Sequence, residues 1–337
     1  MLFSQRFIEE VGRMNRLQDE KIVVTGVAAI TASYPSLDDL IDFYLNRIEK
    51  RSLKITESIN IDNLNIDVGK YINKFKIKKM SNASVLSVIA AGQAIHDANV
   101  EKEVLENSGV VFNSLFSTFD KAMEFYDMAC ETKCEKVNSS KFANSTSCAP
   151  TGEISAEWGM RGSSMMLSGD KESSFSAIRL GYNNLRDCEQ TPFFLVGGVD
   201  VYFNNKSYFY SNESGTEKEE GVAAILLEKS TNAFLRSAKV YGEIQIINSS
   251  HIKDKINNDD YSYVISNDFT LNGKLDTNKL MMLEDYEGAT ASIAVVIACK
   301  IVESIKVKRT VVPDKPLQVL IHLKEGNTCI LIKEEVR

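Results

Sequence analysis

The stretch SSMMLSGDKESSFSAI, residues 163–178, runs from an apolar segment, Met165-Met166-Leu167, through a tight Ser168-Gly169-Asp170 turn into a segment that reads as a helix from about Glu172. Strand, sharp turn and helix N-terminus in that order form an elbow that exposes the residue at its tip, and in many acyl-transfer enzymes that residue is Cys or Ser. Here it is Lys171. The geometry of an acyl-transfer site is predicted, and the acyl carrier is missing.

With 337 residues, 44% of them hydrophobic, the chain is long enough for a large core, arranged as two domains or one large α/β unit. A formal charge of −7 and the absence of long like-charge blocks give no reason to expect a nucleic-acid or anionic-membrane surface. The basic run KFKIKK (74–79) reads as a solvated face. Glu9 and Glu10 interrupt the N-terminal MLFSQRFIEEVGRMNR, so it lacks the apolar core of a secretory signal. The longest apolar run begins at Gly288 and meets Lys300 well short of the roughly 18–20 residues a membrane span needs. A soluble, cytoplasmic protein without a membrane partner is expected. Cys130, Cys134, Cys148, Cys188, Cys299 and Cys329 are scattered and read as reduced thiols. Cys130 and Cys134 fall on one face of a predicted helix, where core packing is the expectation rather than a metal site.

Strands and helices alternate around the elbow. KIVVTGVAAIT (21–31) is a buried strand by its β-branched, apolar run. SLDDLIDFYLNRIEKR (36–51) is a helix: Ser36 can cap it, acids open it, bases close it, and Leu37, Leu40, Ile41, Tyr44, Leu45 and Ile48 form one stripe. A small-residue-rich, buried helix is predicted over 82–100, carrying His96, then a strand over 108–115 and a helix over 116–134. Residues 144–162 read as a polar, Gly-containing connection, and 191–203 as another buried strand. Beyond the polar 212–220 the pattern restarts, with strands at 221–229, 239–248, 261–268, 317–323 and 328–335 and a helix at 288–306. This divides the chain into an extension (1–20) and two α/β halves (21–210 and 211–337), the second shortened.

The order of VVTGVAAI, GVVFNSLFSTFD, GMRGSSMMLSGDKESSFSAI, FFLVGGVDVY, EGVAAILLEK and EGATASIAVVIACKIV resembles the β-ketoacyl synthases of the thiolase fold, over most of the chain. The resemblance implies two similar α/β halves in an α-β-α-β-α layered sandwich. With Gly162 and Ala177-Ile178 as anchors and no gap, Lys171 falls where that family has its acyl-accepting Cys. Asn267 and Asp285 fall where it has the two histidines that assist decarboxylation, and Leu280 where a Lys usually stands. His96, His251 and His322 occupy neither histidine position, so structural or surface roles are expected of them. In LKEGNT the family's aromatic gate residue is replaced by Leu323 or Glu325. Two loops, after GGVDVY and after EKSTNAF, are abbreviated.

With all three catalytic positions changed, the chain is similar to the chain length factors of bacterial type II polyketide synthases, which lack the Cys and shape a pocket for an active partner. The resemblance then implies a heterodimer with an active ketosynthase, served by an acyl carrier protein that presents phosphopantetheine, and no cofactor held by this chain. The product class it suggests is aromatic, of octaketide or anthraquinone type, with an aryl-polyene system as the alternative. Phe119, Ala122 and Tyr126 match the tunnel-lining positions, on one helix face. By residue pattern alone the same three are an ordinary apolar stripe. The strand with Met165, Met166 and Ser168 matches the family's dimer contact.

Lys171 has a physical cost: a cation at a helix N-terminus faces the positive end of the dipole, at a few tenths to about one kcal/mol. Asp170 and Glu172 flank it, which favours a structural plug and holds its pKa up. The competing reading is a diverged acyltransferase or decarboxylase using Lys171, or Cys148 from the NSTSCAPTGE loop, as nucleophile.

Overall fold

The structure is a computed structural model that describes residues 20–46, 59, 61–64, 66–201, 219–248, 261–268, 271, 279–308, 315–323 and 328–335. The first half contributes β1 (Ile22–Thr31), α1 (Leu37–Asn46), α2 (Asn82–Asp97), β2 (Gly109–Ser114), α3 (Phe119–Glu131), α4 (Ser139–Ser145), α5 (Ala149–Trp158), β3 (Ser164–Ser168), α6 (Lys171–Asp187), β4 (Phe193–Asp200) and β5 (Gly221–Lys229). The second contributes α7 (Ser230–Leu235), β6 (Gly242–Asn248), β7 (Tyr263–Ser266), β8 (Leu280–Met282), α8 (Thr290–Lys308), β9 (Gln318–His322) and β10 (Thr328–Lys333).

The described strands form one sheet in the order β3-β2-β4-β5-β1-β6-β10-β9-β7-β8. Read outward from the centre, β1-β5-β4-β2-β3 and β6-β10-β9-β7-β8 are the same pattern. In each, the two outer pairings are parallel and the two inner ones antiparallel. Among the described strands, the two halves pair where Val23 and Val24 of β1 meet Glu243 and Gly242 of β6. Helix α6 follows β3 as α8 follows β8, so the two helices are equivalents.

Alternation along the strands sorts side chains into layers. Ile225 and Val196 face a central layer with Phe175 and Ile178 of α6, Ile293 and Ile297 of α8, and Val319 and Ile330 of the second half. Leu226 and Leu195 face the other way, onto Leu86 and Ile89 of α2 and Ile154 of α5. Val264, Leu320 and Leu331 form the outer core of the second half. This is the mixed α/β, thiolase-like architecture expected. The segment Glu287–Lys308 is long and apolar enough to cross a membrane, and most of it is buried here in the central layer of the core.

Several local expectations are corrected. The polar-looking 144–162 holds the end of α4 and all of α5. Pro150 opens α5, where its missing N–H costs nothing, and Gly159 ends it in the left-handed conformation at φ 69°. Its buried Thr151, Ile154 and Trp158 carry helical spacing that the polar residues mask. Strand β8 is a further addition. Cys134 does not share a helix face with Cys130: α3 stops at Glu131, and Lys133 and Cys134 take positive φ. His96 is exposed at the end of α2, edge-on to Trp158, rather than within its buried face. Lys74, Lys76, Lys78 and Lys79 are solvated as expected, with Lys76 paired to Glu157. Residues 1–19, residue 210, His251 and Glu325 lie outside the described residues, as do most of the two abbreviated loops, but β5, expected to open the second half, pairs with β1 and β4 in the repeat of the first.

Gly26 lets α2 lie directly on β1: a Cβ there would stand 2.0 Å from the Ala94 carbonyl oxygen and 2.9 Å from the Ala98 Cβ. Gly26→Ala is therefore expected to destabilise the protein by about 2–3 kcal/mol through overpacking, read as a lower urea midpoint. An unchanged midpoint would show that the two elements are not pressed together.

Candidate functional site

The parallel strands of both halves end on one face, and two buried polar residues organise it. Asp200, at the end of β4, is 1% exposed. Its carboxylate accepts hydrogen bonds from Ser114 Oγ (2.7 Å), Leu115 N (2.9 Å), Phe116 N (3.0 Å) and Gly288 N (2.7 Å). Burial pushes its pKa up to about 6, and these donors pull in the opposite direction.

Asn113 of β2 lies beside it. Its Nδ2 donates to the carbonyls of Gly169 (2.9 Å), Asp170 (3.2 Å) and Gly288 (3.2 Å). The elbow before α6 and the turn before α8 are thus pinned to a single amide. Gly288 is required there, since a Cβ would stand 2.6 Å from Asp200 Oδ2 and 2.7 Å from Asn113 Nδ2. A further tie runs between the helices, from Ala291 N to Ser174 Oγ at 3.1 Å.

The predicted elbow is present, with α6 starting at Lys171, one residue earlier than expected. The role of the Lys171 side chain lies outside the described residues. Asp285 is its counterpart in the repeat: Lys171 stands three residues past the end of β3, and Asp285 three past the end of β8. Asp285 Oδ1 accepts from Glu287 N at 2.9 Å, and its carbonyl from Glu219 N at 2.9 Å. Asn267 directly follows β7, whose Ser266 pairs with Met282 on one side and His322 on the other. The fold therefore carries all three sequence-predicted positions to the same end of the strands. It supplies them with an ammonium, a carboxamide and a carboxylate, none of which is a thiolate nucleophile or an imidazole. His322 is buried in β9, 3.4 Å from Ser266 Oγ, a structural placement. Leu323 is buried. No cluster of three or more metal-ligating side chains occurs among the described residues.

The tunnel candidates lie on α3, which buries none of its residues. Phe119 and Ala122 are half-buried and Tyr126 is 62% exposed. Leu115, Met123, Val137 and Phe142 are also exposed around it. Helix α4 packs on α3, α5 on α4, and α5 on β3. On β3, Met165 and Met166 are half-buried and Ser168 is exposed. Cys148 is exposed, and its loop is tied to the turn after β2 by Ser117 Oγ to Ser147 O (2.8 Å) and Thr118 Oγ1 to Thr146 O (3.0 Å).

Sequence reasoning missed Asn113, Asp200 and Gly288. The signal was available: Asn113 and Asp200 each interrupt an otherwise apolar strand near its C-terminal end, where a buried polar group needs a purpose.

Comparison with known proteins agrees with this geometry. Residues 67–224 match the sequence model of the β-ketoacyl synthase N-terminal domain. No curated protein matches the chain. Among solved structures it is similar to a type II PKS acyl-carrier protein in complex with its ketosynthase bound to the hexaketide (AntDE:AntF). That match has 15% identity and a TM-score of 0.72, covering 94% of this chain and 99% of that one. It is also similar to the ishigamide ketosynthase/chain length factor, with 13% identity, a TM-score of 0.67, and 94% and 100% coverage. A β-ketoacyl synthase from Burkholderia phymatum STM815 matches at 15% identity and a TM-score of 0.64, again with 94% and 100% coverage. Residues 67–224 thus carry a match to the β-ketoacyl synthase N-terminal domain, and the chain has the mixed α/β, ketosynthase/thiolase-like fold.

Proposed function

We propose that this chain is a non-catalytic chain length factor: it pairs with an active ketosynthase and shapes the tunnel in which a type II polyketide grows. The observation that carries this reading is an intact elbow whose three chemical positions hold Lys171, Asn267 and Asp285. Claisen condensation on this scaffold needs a thiolate to hold the acyl chain and donors to stabilise the developing enolate, and an aspartate carboxylate opposes that charge rather than stabilising it.

Two surface features support a partner. Strand β3 is a sheet edge of sequence Ser-Met-Met-Leu-Ser, with neither charge nor proline to guard it. Antiparallel pairing with a partner strand satisfies its open backbone groups, and Met165 and Met166 adapt readily to an apolar contact. The uncovered apolar face of α3 is the second feature. In this reading Phe119 and Tyr126 are the bulky steps and Ala122 the gap between them. The acyl carrier protein brings the chain in on phosphopantetheine, and the product is an aromatic polyketide. Similarity to structures described as a ketosynthase with its carrier protein and as a ketosynthase/chain length factor supports the choice of partners.

Co-expression with an active ketosynthase and an acyl carrier protein is expected to yield a co-purifying heterodimer, while this chain alone takes no acyl group from a loaded carrier. Failure to co-purify sinks the heterodimer. Stable acylation of the isolated chain, abolished by Lys171→Ala or Cys148→Ala and detected by intact-mass spectrometry, favours the acyltransferase reading instead. Within the heterodimer, Phe119→Ala and Tyr126→Ala are expected to lengthen the product by at least one two-carbon unit. An unchanged product mass in both variants leaves the chain a structural stabiliser only.

A further inference from the structure

Strand β1 leaves part of its outer edge unpaired. Among the described strands it pairs with β5 along its length, and with β6 at Val23 and Val24 alone. Ala32 N, just past the strand, donates to Glu220 O at 3.0 Å and so bonds toward β5, whereas Val27 N donates to Asp97 Oδ2 at 2.9 Å and Thr31 N to Tyr34 O at 3.2 Å, both away from it. Alternation then places the N–H and C=O of Ala29 on the outer side, together with the Val27 C=O. No partner for these groups occurs among the described residues, although Val27 and Ala29 are each 2% exposed. Backbone groups this deeply buried are nearly always paired, so one orphaned donor and two orphaned acceptors in a row point to something that pairs with them.

That edge lines a slot of about 590 Å³, bordered on one side by Leu37 and Asp39 at the start of α1 and on the other by Ile66 with Gln93 and Asp97 of α2. The two helices pack on opposite faces of β1: α1 shares a core with Val27 and Ala29, and α2 with Ala28 and Ile30. A slot closed on both faces by helices admits a single extended chain and excludes the edge of a folded sheet. We propose that it binds an extended peptide, a tail or loop of a second protein, which adds to β1 as a further strand and carries a Lys or Arg. In antiparallel register Ala29 exchanges both its hydrogen bonds with one peptide residue, and the Val27 C=O accepts the next. Asp97 ends the ladder by holding Val27 N, and its charge is already met by Tyr241 Oη at 2.8 Å and Lys239 Nζ at 3.3 Å. Asp39 is exposed at the rim, where Ser36 Oγ donates to it at 2.7 Å, and its negative charge selects a cationic side chain on the bound strand. Strands β5, β4 and β2 separate β1 from β3, so this site and the proposed ketosynthase contact stand or fall independently.

The test selects binders to the intact chain from a random hexapeptide library and follows amide hydrogen exchange with and without them. In the free protein the Ala29 amide is expected to exchange about tenfold or more faster than those of Ala28 and Ile30, which bond to β5. Selected peptides are expected to be rich in Lys or Arg, to slow the Ala29 amide, and to lose binding when the residue opposite Ala29 is N-methylated. Asp39→Lys, an exposed substitution, is expected to weaken them about tenfold. An Ala29 amide as slow as its neighbours in the free protein overturns the open edge. A library without binders, or binders that leave Ala29 exchange unchanged, overturns the peptide site, and equal affinity for Asp39→Lys overturns the choice of a cationic partner.

Discussion

The Asp200 carboxylate is the point from which the functional face is built. It takes donors from the end of β2, from the turn that follows, and from the N-terminus of the helical segment in the other half. Asn113 then binds the elbow and the Gly288 turn through one amide. All of this lies in the low-dielectric interior, where an unmade hydrogen bond costs most. The arrangement constrains the chain from both sides: the acid needs its donors, and the donors, once buried, need the acid.

That hub separates scaffold from chemistry. Asn113 grips Gly169 and Asp170 by their backbone carbonyls, so the elbow keeps its shape whatever side chain residue 171 carries. Asp285 is held through its own carbonyl and a local bond to Glu287 N, contacts that ask little of the side chain's acid–base chemistry. The side chains at 171 and 285 can therefore vary while the fold around them is kept.

The sequence displayed most of the strands because each is an apolar run with abrupt ends, as in VVTGVAAI and FFLVGGVD, and strands buried on both faces show little else. It displayed the elbow because turn residues and an apolar strand adjoin there. It concealed α5, whose buried residues are diluted by exposed polar ones, and β8, whose three residues are too few for a periodic signal. Strand order was hidden too: the match between β1-β5-β4-β2-β3 and β6-β10-β9-β7-β8 is a property of pairing, and the two halves need share no residues to have it.

Helix α3 shows where sequence pattern and structure part most usefully. Its amphipathic stripe predicts a core helix, yet no residue on it is buried, while α2, with a weaker pattern, buries most of its length. An apolar stripe records that a face is meant to be covered, and does not say by what. The chain covers α2 with its own sheet and α5 and leaves α3 open at Met123 and Tyr126, while β3 is an unguarded edge among the described strands. Exposed apolar side chains and an open edge are each a liability in a monomer. The proposed ketosynthase partner, pairing with β3 and lying over α3, would remove both.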